Sequence, residues 1–199
     1  MNKLKVGKKS GLKYFDIKDI RSWEPCYDPV EHLLENWRGT ALTILKNETI
    51  SFEDRLWVVC RSEIASDRTM RLFAVWCARQ VQHLMADKRS IDALDVAERF
   101  ANGQATQTEL DAAGAAAWDA AGTTAGDAAG DAAWAAARAA AGAERDAAGA
   151  AWAAWAAAWD AARDAAGAAA RAAARDAAKA AQRDKLIEMV IAEGKERLK

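Results

Sequence analysis

Apolar residues recur at helical spacing through the middle of the chain. In the run 68–85, Met70, Phe73, Ala74, Cys77, Val81 and Leu84 fall on one face when residues advance by about 100° each. That face is a conventional core stripe. Leu72, Val75 and Trp76 point largely away from it, among Arg68, Arg71 and Arg79, so the helix is apolar on two sides and is predicted to be central. Start signals frame further helices: Ser51 with Asp54, Asp67 before its apolar run, and Thr106 with Glu109 in a capping-box arrangement. Gly103 stands after the run 91–101, where a helix-ending glycine belongs. These signals predict helices over 38–46, 52–64, 68–85, 91–101 and 107–121.

Residues 111–182 change the pattern, with 42 alanines in 72 positions. Alanine has the highest helix propensity and its small side chain lets helices approach closely, so two or three tightly packed helices are predicted here. Glycines at 122 and 126 flank the expected break, with Gly142 and Gly149 next. Only Pro25 and Pro29 interrupt the chain, both ahead of the helical zone. The fold class is therefore all-α, a compact multi-helix bundle with closely packed Ala-rich helices in the C-terminal half. Three zones are expected: a basic N-terminal arm over 1–22, a helical globular part over 23–110, and an Ala-rich helical part over 111–199.

Charge narrows the partners. Twenty-eight basic against 29 acidic residues leave a net charge of −1, so no overall field recruits bulk nucleic acid or anionic lipid. The longest uncharged run of the Ala-rich half, Ala147 to Trp159, falls short of the roughly 20 residues of a membrane span. The lysine-rich start lacks the long apolar stretch of a signal peptide, and a cytoplasmic location is expected. Cys26, Cys60 and Cys77 show neither CxxC spacing nor neighbouring His ligands, so they are read as reduced, mostly buried thiols, and no metal site or cofactor is expected.

Three segments carry a resemblance. They are Glu53-Asp54-Arg55-Leu56-Trp57-Val58-Val59, then Asp67-Arg68-Thr69-Met70-Arg71-Leu72-Phe73-Ala74-Val75-Trp76-Cys77-Ala78-Arg79, then Ala97-Glu98-Arg99-Phe100-Ala101-Asn102-Gly103 leading into the Ala/Asp/Arg/Trp tail. In this order they resemble the fifth class of bacterial and phage immunity proteins, over roughly residues 26–180. The resemblance implies a cytoplasmic, non-enzymatic protein that neutralises a toxin or, in a phage, a defence effector or its signal. It brings no set of ligand residues, and the arm before Trp23 lies outside it.

The residues themselves point to binding rather than catalysis. His32 and His83 are the only histidines, and no GxSxG, HExxH, Walker or GxGxxG pattern occurs. Cys60 and Cys77 fall on or near core faces, which favours inert thiols over nucleophiles. Two groups remain as candidate binding residues. Arg68, Arg71 and Arg79, with Trp76, could line an anion pocket, or pair internally with Asp54, Glu63, Asp67 or the acids of the run 91–101. Trp134, Arg138, Arg145, Trp152, Trp155, Trp159 and Arg163 share an arc of about 100° if one helix carries them all. Such a stripe could stack a base and pair a phosphate, or supply the only large core residues in an alanine background; the second reading is favoured because little else there can be buried. Farther on, Arg171, Arg175, Lys179 and Arg183 recur every four residues, interleaved with acids as on a solvated face.

The expected partner is thus a protein toxin or defence effector, with a nucleotide-like small molecule as the alternative. Self-association is also compatible with the pattern. A structural or ice-binding alanine helix is a minor alternative, which Thr123 and Thr124 alone in the tail argue against.

Overall fold

The computed structural model describes residues 4–26, 28–123, 127–140, 149, 153–158, 160 and 171–199. It is mostly helical, but the all-α expectation needs correction at the N-terminus. There β1 (Lys5–Val6), β2 (Lys13–Asp16) and β3 (Arg38–Thr40) form an antiparallel sheet in that order. Residues 38–40, read as the start of a helix, are a strand because their ladder groups pair with Tyr14, Phe15 and Asp16. The basic arm supplies two strands and a helix. In Lys13–Asp16 only Phe15 is buried, a period-two pattern too short to stand out in the sequence.

Helices follow: α1 (Ile17–Ser22), α2 (Ala41–Leu45), α3 (Phe52–Val59), α4 (Asp67–Gln80), α5 (Lys88–Ala101), α6 (Gln107–Thr123) and α7 (Asp127–Ala139), then helical residues 153–158 (α8), and α9 (Arg171–Glu196). Local chemistry sets their ends. The Ser51 hydroxyl accepts from the Asp54 N–H at 3.0 Å to open α3. Thr106 and Glu109 make the reciprocal capping contacts that open α6. Gly103, at φ +72, follows the cap of α5 in the left-handed conformation that glycine adopts without strain. α4 stops at Gln80, earlier than predicted, and a 3₁₀ turn over Gln82–Leu84 completes the run. α6 and α7 lie on either side of the expected break, whose residues 124–126 are outside the described ones.

The chain divides into two compact units, one of residues 1–66 with 183–199 and the other of residues 67–182. This division cuts across the three compositional zones. The zone 23–110 is split after Ser66, and the later residues of α9, the large and buried Leu186 and Val190 among them, belong with the first unit.

In the first unit, Phe15, Ile17, Ile44, Leu45, Leu56 and Val59 make a core from sheet and helices. The C-terminal end of α9 is fastened to the N-terminal hairpin and to the segment after α3. Arg197 donates to the carbonyls of Gly11 at 3.2 Å and Ile64 at 3.5 Å, and pairs with buried Glu193. Glu193 in turn accepts the Ser66 N–H at 3.0 Å. Buried Glu193 is thereby paired with half-buried Arg197 and hydrogen-bonded, which is what makes its burial tolerable.

In the second unit α4, α5, α6 and α7 pack on one another. Met70, Phe73, Cys77, Leu94 and Leu110 are buried beside Ala117, Ala120, Ala132 and Ala136. The alanines permit close backbone approach: a Cβ added at Gly114 would lie 2.7 Å from the Ala140 carbonyl oxygen. Among the described residues, no helix is long and apolar enough to cross a membrane.

Candidate functional site

The first unit presents a shaped surface on the outer face of its sheet. Phe15 points inward, where its ring lies 5.7 Å from Trp23 and 5.5 Å from Trp37. Its neighbours Tyr14 and Asp16 therefore point outward, by the alternation of a strand. Lys5 stands directly opposite Tyr14 on β1, and Arg38 directly opposite Asp16 on β3. Directly opposed residues share a face, so Lys5, Tyr14 and Arg38 form a diagonal of cation, aromatic ring and cation across three strands. The Arg38 guanidinium lies 5.7 Å from the Tyr14 ring centroid. With Asp16 and Asp19 they line an open depression of about 380 Å³.

The two carboxylates there are already occupied by backbone. Asp16 accepts from the N–H groups of Lys18 at 2.8 Å and Asp19 at 3.2 Å, while Asp19 accepts from the Asp16 N–H at 2.9 Å. This reciprocal box opens α1, and no ion pair joins Asp16 to Arg38 among the described residues. Lys5 and Arg38 have no ion-pair partner among the described residues. Arg21 of α1 pairs with both Asp28 and Glu35, which holds both carboxyls below their ordinary range.

The arginines that the sequence singles out take other places. Arg68 donates to Asn102 at 2.9 Å, Arg71 lies 5.1 Å over the Phe100 ring, and Arg79 meets Asp95 at 2.9 Å and Glu98 at 2.6 Å. All three tie α4 to α5 or to its cap. Burial opposes the charge of Arg79, but its two carboxylate partners outweigh it and the pKa is raised. Trp76 is half-buried and stacked on Phe73 with centroids 6.5 Å apart. The structure thus brings these four onto one helix, each with a neighbour in its own unit.

Trp155 is buried, and its indole N–H donates to the Gln182 side chain at 2.6 Å. Trp152, Trp159 and Arg163 lie outside the described residues, as does Arg145. Trp134 packs edge-on against the half-exposed Trp118 at 4.3 Å. Cys60 and Cys77 are buried whereas Cys26 is exposed, and burial pushes the Cys60 thiol up to about 12 against a small opposing effect of Arg61. Among the described residues, no group of three or more His, Cys, Asp or Glu is placed to hold a metal ion.

Sequence reasoning did not single out Lys5, Tyr14 or Arg38. The signal was faint, being the alternation over 13–16 with the nearby glycines at 7 and 11, and it gave no hint that residues 38–40 pair with it. Comparisons with protein-family models, with curated proteins and with solved structures gave no match for this chain.

Proposed function

We propose that the protein works without catalysis, as an immunity or counter-defence protein that binds and neutralises a protein toxin or defence effector. The observation that carries this reading is the open sheet-face depression with Arg38 poised over Tyr14. Tyrosine and arginine are the residue types that dominate binding energy at protein interfaces. An open surface suits a protein, whereas a small nucleotide is best enclosed in a deeper pocket. The order of residues over 53–103 that resembles immunity proteins agrees with it. The nucleotide-sponge alternative draws less support, because Trp155, a proposed stacking ring, is buried and its N–H is engaged by Gln182.

Native mass spectrometry of the protein purified from its host tests the proposal. A stoichiometric protein partner, reduced in a Tyr14→Ala variant that keeps its helical circular dichroism, is the expected result. A retained nucleotide, or a partner unaffected by the substitution, would overturn it.

A further inference from the structure

We infer that the sheet-face groove seats an acidic segment of the protein partner, with a carboxylate taken by Arg38 and Lys5 above the Tyr14 ring. The inference rests on the protein-binding reading and adds the chemistry of the partner.

Charge complementarity carries it. The groove holds two cations and two carboxylates, yet the two signs are not equivalent toward a newcomer. Asp16 and Asp19 spend acceptor capacity on three backbone N–H groups at 2.8–3.2 Å. Arg38 and Lys5 have no carboxylate among the described residues, and both side chains are exposed. A guanidinium fork and an ammonium on one face favour a carboxylate, whose two oxygens can accept from both. Register fixes the spacing: Lys5 is directly across from Tyr14, and Arg38 is its diagonal neighbour. Arg38 is further positioned by its place over the Tyr14 ring, so less side-chain freedom is lost on binding.

The surroundings agree with this sign. Lys8 and Lys9 follow Lys5 in the same hairpin and are exposed, and Lys18 stands in the first turn of α1 next to the groove acids. A partner segment that is acidic gains from this field over about a Debye length, and a basic one is repelled.

The test is an NMR titration of the ¹⁵N-labelled full chain with three probes: a short capped peptide alternating Glu and Val, its Lys and Val counterpart, and inorganic phosphate. The expected result is saturable, salt-sensitive shifts at the Lys5, Tyr14 and Arg38 amides with the Glu peptide alone. Arg38→Glu should weaken binding about tenfold or more, and Arg38→Lys less. Lys5→Glu provides a second variant on another strand, so a folding defect in one leaves the other informative. Equal shifts from the Lys peptide, shifts at other sites, indifference to both substitutions, or no shifts at all would overturn the inference. Equal response to phosphate would overturn it too, showing a general anion site. The two readings fail differently in native mass spectrometry. A partner protein that stays bound to the Lys5→Glu/Arg38→Glu double variant overturns this inference and leaves protein binding standing, whereas a wild-type chain that carries no partner overturns protein binding itself.

Discussion

Gly11 and Gly194 meet backbone to backbone, so closely that a Cβ on Gly11 would lie 1.7 Å from the Gly194 carbonyl oxygen. Gly11 also holds a φ of +65, and a Cβ on Gly194 would lie 2.6 Å from the Ser10 carbonyl oxygen. The hairpin turn and the last helix can sit this near only because neither residue has a side chain.

Gly11→Ala should therefore lower stability by about 3 kcal/mol or more, from backbone displacement together with a left-handed alanine. Gly103→Ala is the matched control. Gly103 has a similar φ of +72 but open space around it, so about 1 kcal/mol is expected from conformation alone. Thermal unfolding of the two variants checks the difference; equal losses would show that the close approach is unimportant.

Arg79→Ala removes one guanidinium from two carboxylates. Its side chain is 31% exposed and those of Asp95 and Glu98 are 58% and 47%, so solvent screens the pair strongly. A loss of at most about 1 kcal/mol is expected, with a fall in Tm of about 2–4 °C. Partner binding should be unchanged. Lost binding at unchanged Tm would instead return Arg79 to the list of ligand residues.

Trp155→Phe keeps most of the buried ring and deletes the indole N–H. The Gln182 oxygen, in a side chain that is 3% exposed, then loses its 2.6 Å donor. The expected loss is about 1–3 kcal/mol by urea unfolding. A double-mutant cycle with Gln182→Ala should show coupling, and strict additivity would deny the bond its role.

Cys60 gives the protein an alkaline limit. Its thiol ordinarily titrates at 9.0 and in the folded chain at about 12, so above pH 9 the unfolded chain releases a proton that the folded chain keeps. Stability from this group is complete below pH 9 and is lost as pH rises toward 12. Cys60→Ala should flatten the decline of stability with pH by up to about 1.4 kcal/mol per pH unit in that window. At neutral pH a thiol reagent should label Cys26 rapidly in the native chain, and Cys60 and Cys77 only after denaturation. Fast native labelling at Cys60, or identical pH slopes, would contradict its burial.

What was legible in the sequence was what is decided locally. Ser51, Thr106 with Glu109, and Gly103 set helix ends within a few residues of themselves, and of the predicted stripe Met70, Phe73, Ala74, Cys77 and Val81 are buried, while Leu84, past the end of α4 in the 3₁₀ turn, is only half-buried. Asp87 was missed as the cap of α5, which begins three residues ahead of the predicted start. The sheet was not legible, because Tyr14 pairs with Thr40 through backbone groups that every sequence has. The groove inherits that difficulty. Lys5, Tyr14 and Arg38 are ordinary surface residues until strand pairing sets them in line, whereas Arg68, Arg71 and Arg79 draw notice by proximity in the chain and turn out to bridge two helices.

The bond from Arg197 to the Gly11 carbonyl joins residues 186 positions apart. A chain emerging from the ribosome can assemble the second unit, which is continuous in sequence, while the first still lacks Leu186, Val190 and Glu193. During synthesis the hairpin turn at Gly11 waits for the later turns of α9, and closing so long a loop makes this contact a late and slow step. A nascent chain stalled just after Gln182 would hold the whole of the second unit while the sheet of the first still waits for Leu186, Val190 and Glu193.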